Sequence, residues 1–458
     1  MLNMLSLPSR LASIWQYRRS RLTLTLVILC AALLAALLAG CGLEPGGQQL
    51  AFIRNGQLWV VNPDGSDARM LYKADVAGFA WSPDHHMLLL RYGSRAIDLA
   101  SALPIGTTAG APDAIAELGV VSISGGSPIP ISPVTQGIVR SDGWWDTSGN
   151  RLLYREYPFS VGANVAPIYI DSQNDQPVGI ARKTLLNAAS LPALNDDGTQ
   201  VAVIDPVGAV RVGAPGDPGA IVASGGLVTL LGTMRPARVL WRPGHDALLY
   251  ATATRDQPNT VTLTLHDLAN GRTQPLIQVT SLLDAAFSPD GSLLLIRTPD
   301  SFQVWQVTTS GAEPTMPRFS MPESDPLALP WWSPDGHKLL IQDANGWRLI
   351  DPQTGHAQTL LTYAAPLNQP AIGAGTLWRP VASSPWSPDG TQFVFVSGSN
   401  ARWQGEPLPA PKQGATGLYV ASVSSPTTAG SPTLIDSNAD SFPGWSAPNP
   451  SSTFLVTS

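Results

Sequence analysis

The chain has 458 residues, of which 13% are charged and 44% are hydrophobic, with 42 glycines and 42 prolines. This composition is too apolar for an intrinsically disordered protein and too rich in turn-forming residues for a helical one. Four arginines are the charged residues before Cys41, so 23 basic and 33 acidic residues follow it. The acidic balance and the lack of a basic run argue against a nucleic-acid partner.

The first forty residues have the parts of an export signal. Arginines 18, 19 and 21 precede an apolar stretch from Leu22 to Ala39, and small residues stand just before Cys41. A basic region, an apolar region and a small-residue cleavage site are typical of a signal peptide. Both cysteines of the chain, Cys30 and Cys41, lie in or just after this stretch, which excludes a disulfide framework in the remainder.

The end of the apolar stretch, Leu38-Ala39-Gly40-Cys41, resembles the lipobox of bacterial lipoproteins. The resemblance implies cleavage before Cys41 and acylation of its thiol, and more than one acyl chain anchors a protein durably in a membrane. Residues 1–40 are then a lipoprotein signal peptide, and residues 41–49 are a short polar tether. The alternative is an uncleaved transmembrane helix, because the apolar run is just long enough to span a bilayer. Both alternatives place the remainder outside the cytoplasm.

A repeated motif dominates the rest of the chain. Its clearest copies are Trp81-Ser82-Pro83-Asp84, Phe287-Ser288-Pro289-Asp290-Gly291, Trp332-Ser333-Pro334-Asp335-Gly336 and Trp386-Ser387-Pro388-Asp389-Gly390. Weaker copies begin at Trp145, Leu194, Trp241 and Trp445, and successive copies are 45 to 64 residues apart. Each copy precedes an apolar segment of strand length, and a sustained helical period does not occur after residue 45. Repeats of this length are typical of propellers with insertions.

The chemistry of the motif explains its recurrence. Ser-Pro-Asp-Gly places Pro, Asp and Gly at the second, third and fourth positions of a type I turn between antiparallel strands. The preceding Trp or Phe is large enough to pack between neighbouring sheets. A four-stranded meander cannot bury both faces alone, so such units stack radially into a ring. The recurrence of the Asp in this turn favours a structural role over a catalytic one.

These repeats resemble the TolB-like family of β-propellers, and the resemblance covers nearly all of the chain from Gln49 to Ser458. It implies an all-β fold in which residues 50–458 form a single β-propeller. TolB carries an α/β domain before its propeller for which this chain has no room, so the resemblance is extended to the repeat and the fold but not to the Tol–Pal role. Eight blades are favoured, and seven remain possible if one weak unit is not a blade. An extra strand predicted at Thr453–Thr457 is left over, and one explanation is that it closes the ring against the first blade.

The long insertions are predicted to lie on one face of the propeller. They follow first strands (92–113, 157–166 and 397–416) or third strands (318–330 and 363–384), and strand parity places all of them opposite the Ser-Pro-Asp-Gly turns. Insertions concentrated on one face of a repeat ring often mark a binding side. Aromatic residues and arginine are common interface anchors, so Tyr157, Trp378, Arg402 and Trp403 are the candidate interaction residues. The alternative is that these insertions pack on their own blades.

Catalytic signals are weak. The six histidines are scattered, there is no metal-ligand spacing, and a G-x-S-x-G nucleophile motif is missing. We therefore expect no cofactor, no metal and no enzymatic activity. The first functional hypothesis is a lipid-anchored interaction scaffold in the bacterial cell envelope, with the membrane as one partner, through acylated Cys41, and an envelope protein as another. A receptor that uses the axial pocket and a propeller hydrolase or lyase remain open.

Overall fold

The computed structural model describes an all-β chain. The described residues are 49–73, 76–92, 117–131, 138–145, 151–158, 168–174, 180–186, 193–205, 208–214, 219–223, 239–254, 257–308, 317–323, 328–363, 384–398, 400–411, 416–439 and 441–445, with residues 149, 217 and 325. The chain separates into two compact units, Met1–Gly47 and Gln48–Ser458, and all the described residues belong to the second. Within them, no helix is both long and apolar enough to cross a membrane.

The strands of the first half of the chain are short and closely spaced. They are β1 (Leu50–Arg54), β2 (Gln57–Val61), β3 (Arg69–Tyr72), β4 (Val76–Trp81), β5 (Met87–Tyr92), β6 (Glu117–Ser122), β7 (Ile129–Pro130), β8 (Ile138–Trp145), β9 (Arg151–Pro158), β10 (Ile168–Asn174), β11 (Ile180–Leu186), β12 (Ala193–Leu194), β13 (Val201–Ile204), β14 (Val210–Gly213), β15 (Ala220–Ala223), β16 (Val239–Trp241) and β17 (Ala247–Thr254).

The second half continues the pattern. Its strands are β18 (Gln257–Asp267), β19 (Thr273–Thr280), β20 (Asp284–Phe287), β21 (Leu293–Arg297), β22 (Ser301–Gln306), β23 (Phe319–Pro322), β24 (Leu329–Trp332), β25 (Leu339–Asp343), β26 (Gly346–Ile350), β27 (Ala357–Thr362), β28 (Gln392–Gly398), β29 (Arg402–Trp403), β30 (Glu406–Pro407), β31 (Thr416–Ser425), β32 (Thr428–Ala429), β33 (Thr433–Asp436) and β34 (Ser441–Trp445).

The described strands form eight antiparallel sheets, numbered here as blades in chain order. Blade 1 has the strand order β34-β1-β2-β3, and blades 2 to 6 are the successive meanders β4–β7, β8–β11, β12–β15, β16–β19 and β20–β23. Blade 7 consists of β24–β27 extended by β29 and β30. In blade 8, β31 pairs with β28 on one edge and with β32 and β33 on the other, and the first strand is reduced to a bridge between Trp386 and Phe393.

Ring closure joins the two ends of this unit. β34 pairs with β1, in the register Leu50 opposite Trp445, and contacts β28 of blade 8 and β4 of blade 2. Because β1 pairs with β2 on its other edge, it has no edge left for the strand predicted at Thr453–Thr457. Ser441–Trp445 therefore closes the first blade, and the strand predicted at Thr453–Thr457 lies outside the described residues.

Burial falls from the first strands of each blade to the last. Every residue of β20 and β21 is buried, whereas exposed residues recur along β15, β23 and β27. The early strands are buried on both faces because a neighbouring blade covers each face, so they read as continuous hydrophobic runs rather than alternating ones. The outer strands meet solvent and alternate.

The hydrophobic core consists of layers between successive blades. The aromatic residue of the repeat motif lies in these layers: Trp81 packs between blades 1 and 2, Phe287 between blades 5 and 6, Trp332 between blades 6 and 7, and Trp386 between blades 7 and 8. The predicted packing of this residue between neighbouring sheets is confirmed. Burial of such side chains contributes roughly 25 cal/mol per Å² of apolar surface.

Several of these tryptophans also donate a hydrogen bond to the preceding blade, which the sequence did not indicate. The indole Nε1 of Trp81 donates to the carbonyl of Gly444 (3.2 Å), that of Trp241 to Ala193 (2.7 Å), and that of Trp386 to Trp331 (3.1 Å). A buried indole N–H is costly when it lacks an acceptor. The acceptor here lies on the first strand of the neighbouring blade, so the bond joins adjacent blades.

Candidate interaction face

Two kinds of connection define two faces of the propeller. The turn face carries the connections from first to second and from third to fourth strands of each blade, and it includes the Ser-Pro-Asp-Gly turns. The insertion face carries the connections from second to third strands and from each blade to the next. Here the strand that ends in the repeat motif is counted as the first strand of its blade. The strands that were called first in the prediction from sequence are therefore second strands in this numbering. The distinction follows from the antiparallel order of each sheet.

The Ser-Pro-Asp-Gly turns of blades 2, 6, 7 and 8 share one set of hydrogen bonds. In blade 7, the Ser333 hydroxyl donates to Asp335 Oδ1 (2.5 Å) and accepts from the backbone N–H of Lys338 (2.9 Å), while the N–H of His337 donates to Asp335 (3.0 Å). The corresponding Ser-to-Asp bonds measure 2.5 Å in blades 2 and 6 and 2.6 Å in blade 8. The carboxylates are therefore occupied within their own turns.

These hydrogen bonds shift the acidity of the turn carboxylates. Burial raises the pKa of Asp335, but hydrogen bonds from Ser333, Lys338 and His337 outweigh burial and hold the pKa at about 2. The pKa values of Asp290 and Asp389 are also lowered, because hydrogen bonds from their own turns outweigh burial. Hydrogen bonding to the charged form of a carboxyl group favours that form. The carboxylates remain ionised at neutral pH, as expected of structural acceptors.

The turns also contact one another around the turn face. A Cβ on Gly336 would lie 3.5 Å from Pro289 Cδ, and one on Gly390 would lie 3.4 Å from Pro334 Cδ. The ammonium of Lys338 donates to the carbonyl of Gly390 (3.2 Å), so blade 7 reaches blade 8. The turns of blades 6, 7 and 8 therefore contact one another in succession on the turn face.

One predicted insertion is wrong. An insertion is predicted at residues 318–330, whereas Phe319–Pro322 is β23, the outer strand of blade 6. β22 and β23 are instead joined by residues 307–318, of which 309–316 lie outside the described residues. Phe319 and Met321 alternate inward against the core between blades 6 and 7, but prolines at 317 and 322 obscured the strand signal.

The insertion of blade 8 does not pack only on its own blade. Its strands β29 and β30 pair with each other as a hairpin. β29 also pairs with β27, the outer strand of blade 7, with Leu361 opposite Trp403 and Thr362 opposite Arg402. Its two central turn residues, Gln404 and Gly405, have φ angles of 50° and 92°. Two positive φ angles are typical of the tight hairpin turns whose twist matches that of the strands.

Trp403 anchors this hairpin and is 4% exposed. Its ring stacks on Phe395 at 5.5 Å between centroids, and Phe395 stacks on Tyr419 at 5.3 Å. The Tyr419 hydroxyl donates to the carbonyl of Pro409 (2.7 Å), and Leu408 is buried beside the stack. Trp403 therefore belongs to the core between blades 7 and 8, and the prediction that it is an exposed interaction anchor is wrong. Its aromatic type signalled burial as much as binding.

The other candidate interaction residues have different positions. Arg402 is exposed beside Trp403 and donates to the carbonyl of Gly405 (3.1 Å). Tyr157 lies in strand β9 opposite Val139 of β8 rather than in a loop. Trp378 and Cys41 lie outside the described residues. The structure therefore leaves Arg402 as an exposed member of the set, with Gln404, Glu406 and Pro407 exposed on the same hairpin.

Between blades 6 and 7, a buried ionic cluster lies beneath the insertion face. It was not predicted from the sequence. The Arg348 guanidinium pairs with Glu323 and, at 2.8 Å, with Asp343. The Glu323 and Asp343 side chains are only 6% and 8% exposed. A buried ion pair contributes less to stability than to a defined arrangement, and removing one partner is strongly destabilising. The cluster fixes the connection after β23 against the β25–β26 hairpin.

The described residues contain no candidate metal site. In the described parts of the chain, no three His, Cys, Asp or Glu side chains are grouped so as to hold a metal ion. The exposed hairpin of blade 8 presents one guanidinium, one carboxylate and one amide, which suits hydrogen bonding and ion pairing with a partner surface.

Comparison with known proteins gives structural similarity without a sequence match. No protein-family model and no curated protein matches the chain. The chain is similar to the crystal structure of TolB from Acinetobacter baumannii, with 11% identity and a TM-score of 0.36 over 88% of this chain and 67% of that one. It is also similar to a prolyl endopeptidase (13% identity, TM-score 0.45, 82% and 54% of the chains). An oligogalacturonate lyase solved with manganese is a third similar structure (12% identity, TM-score 0.45, 82% and 98%).

The sheets and their order establish the fold directly. Antiparallel sheets follow one another along the chain, buried core clusters join blades 1 to 3 and blades 4 to 8 in succession, and a further cluster with β34 joins blade 8 to blade 1. The chain is an all-β propeller, and TolB is among the solved structures that it resembles.

Proposed function

We propose that this protein is a lipid-anchored, extracytoplasmic scaffold that binds an envelope protein through its insertion face and has no enzymatic activity. The observation that carries the proposal is the rigid display of the blade 8 hairpin. The hairpin is held in place by the buried side chains of Trp403 and Leu408 and by the hydrogen bond that the Tyr419 hydroxyl donates. Its exposed side chains are Arg402, Gln404 and Glu406. A preorganised surface loses little conformational entropy when a partner binds.

The position of β1 is consistent with such a tether. Leu50 lies opposite Trp445, as Leu339 lies opposite Trp332, so Leu50 takes the place of the first residue after a repeat turn. The chain therefore enters the sheet at the turn face. Cys41 is nine residues earlier, which limits the reach of a tether to about 30 Å. In this proposal the insertion face is free to meet a partner.

Lipidation is tested with a Cys41→Ser variant expressed in a bacterium that is fed an alkyne-labelled fatty acid. We expect the unmodified chain to incorporate the label and to lose its leader, and the variant to incorporate no label. A full-length chain that fractionates with membranes and takes up no label, with or without Cys41, would instead support an uncleaved transmembrane helix. Label in both proteins would contradict acylation at Cys41.

Partner binding is tested by placing a photocrosslinking amino acid at Gln404 or Glu406, with Ser66 of the turn face as the control position. All three side chains are exposed. We expect a discrete crosslinked protein from the hairpin positions in intact cells and none from Ser66. Adducts from Ser66 alone would move the interaction to the turn face and contradict the proposal. Turnover in a hydrolase and lyase substrate panel would contradict a purely binding role.

A further inference from the structure

A polar cleft on the turn face of blade 5 is separate from the interaction face. Its volume is about 330 Å³, at the lower end of the range for small-molecule sites. The turn after β16 forms one wall, the turn between β18 and β19 forms the other, and Thr308 of blade 6 contributes to the lining. We call this the blade 5 cleft.

The cleft occurs where the repeat departs from its pattern. Blade 5 has Arg242-Pro243-Gly244-His245 in place of Ser-Pro-Asp-Gly, so it lacks the Ser–Asp pair that closes the turn in blades 2, 6, 7 and 8. Arg242 occupies the position of the buried serine and is itself 5% exposed. Its Nε donates to the carbonyl of Gly291 (2.8 Å) and its Nη2 to that of Val307 (3.4 Å). The guanidinium is thereby held in place at the cleft.

Two further donors line the cleft without a partner among the described residues. The side-chain amide nitrogen of Gln274 is buried and makes no hydrogen bond. Arg272, exposed on the same turn, has no ion pair or side-chain hydrogen bond in the described chain. A buried amide donor without an acceptor costs roughly 1–3 kcal/mol, so an acceptor supplied by a ligand is favoured. The unpaired groups therefore call for an oxygen acceptor.

The acidic side chains of the cleft do not cancel these donors. Asp267 accepts from the N–H of Ala269 (2.9 Å) and from the side chain of Asn270 (2.8 Å), so it is occupied within its own turn. Asp246 is exposed at the rim. The pKa of His245 is lowered, chiefly by burial and then by the charge of Arg242, against the opposing effect of Asp196 and Asp267. His245 is therefore neutral near pH 7.

We propose that the blade 5 cleft binds a carboxylate group, with Arg242, Arg272 and Gln274 as its donors. Guanidinium groups recognise carboxylates through paired, charge-assisted hydrogen bonds. Asp246 at the rim favours ligands that carry a hydroxyl or ammonium group near the carboxylate. Two sources have this chemistry: a free small hydroxy or amino acid, and the C-terminal carboxylate of a peptide. The proposal is independent of the lipid anchor and of the insertion face.

The test is calorimetric titration of the full-length protein in detergent. The probes are malate, serine and a Gly-Gly-Ala tripeptide, each compared with its amidated form. We expect at least one free carboxylate to bind and its amide to bind at least about tenfold more weakly, a difference of roughly 1.4 kcal/mol. Binding of malate or serine alone assigns a free acid, and binding of the tripeptide alone assigns a peptide terminus.

The matched variants are Arg272→Gln in the cleft and Arg402→Gln on the blade 8 hairpin. Both arginines are exposed, so neither change disturbs the core. We expect Arg272→Gln to weaken binding about tenfold or more and Arg402→Gln to leave it unchanged. The proposal is overturned if no free carboxylate binds up to roughly 10 mM, if acid and amide bind equally, or if Arg272→Gln binds as the unmodified chain does.

Discussion

The ring of Trp403 lies nearly parallel to that of Phe395, with 5.5 Å between the centroids and 7° between the planes. Trp403 belongs to a hairpin that pairs with blade 7, whereas Phe395 is in β28 of blade 8. The stack therefore joins the insertion of blade 8 to two blades at once. Its removal affects both the hairpin and the core between the blades.

Substitution of Trp403 by Ala is expected to lower the free energy of unfolding by about 3–5 kcal/mol, because a large buried side chain is replaced by a cavity. Arg402→Ala, one residue earlier but exposed, is expected to change it by less than about 0.5 kcal/mol. Urea denaturation measures both. Hydrogen exchange of residues 401–408 should accelerate in the Trp403 variant, and unchanged exchange there would contradict the anchoring role.

The Ser-Pro-Asp-Gly turn of blade 7 predicts a pH dependence of stability. The pKa of Asp335 is about 2 in the folded chain, below its ordinary value of 3.8. The folded state therefore favours the ionised carboxylate, so the contribution of Asp335 is fully present above about pH 4 and is lost as the pH falls towards 2. Asp335→Asn should be less stable than the unmodified chain at pH 7, by roughly 1 kcal/mol.

Denaturation of both proteins at pH 7, 4 and 2.5 measures the difference. We expect the gap between them to shrink as the pH falls, because Asp335 becomes protonated in the unmodified chain. A gap of constant size would show that the carboxylate charge is not what the turn requires.

Alanine substitutions at two glycines distinguish the cost of backbone strain from the cost of a clash between neighbouring turns. Gly291 and Gly336 occupy the same turn position with φ angles of 67° and 70°. A Cβ on Gly336 would lie 3.5 Å from Pro289, an ordinary contact, whereas one on Gly291 would lie 2.5 Å from the carbonyl oxygen of Pro243. Gly336→Ala should cost about 1–2 kcal/mol through strain alone.

Gly291→Ala should cost more than Gly336→Ala, because the clash with backbone of the neighbouring turn is added to the same strain. Thermal unfolding of the two variants measures the difference. Equal destabilisation would indicate that the turns of blades 5 and 6 separate easily, contrary to the contacts described here.

His85 stands where the other clear repeats have glycine, and its φ angle is 62°. A side chain in this left-handed region costs about 1–2 kcal/mol, so His85→Gly should stabilise the chain by about 1 kcal/mol. His337 follows the glycine of its own turn and serves as the control. His337→Gly should bring no gain in stability. Chemical denaturation measures both, and a loss of stability in the His85 variant would show that the contacts of its partly buried ring outweigh the strain.

The repeat made the fold predictable because the turn chemistry is local. Ser, Pro, Asp and Gly within four residues are enough to specify the turn, and the aromatic residue before them predicted the packing between sheets, as Trp332 and Trp386 show. The acidity of Asp335 and the strain at His85 follow from the same local geometry. Sequence spacing could not locate β23, because prolines at 317 and 322 obscured its strand pattern and a connection of twelve residues separates it from β22.

Local sequence was enough to specify an all-β chain of repeated meanders, because the strand period and the turn residues act within a few positions. Contacts between blades were needed to establish which strand closes the ring, that Trp403 is buried while Arg402 is exposed, and that Arg242 and Gln274 line one cleft. These features depend on which faces of different blades meet. Residues far apart in the chain settle that question, and residue type alone does not distinguish an aromatic anchor in a core from one on a surface.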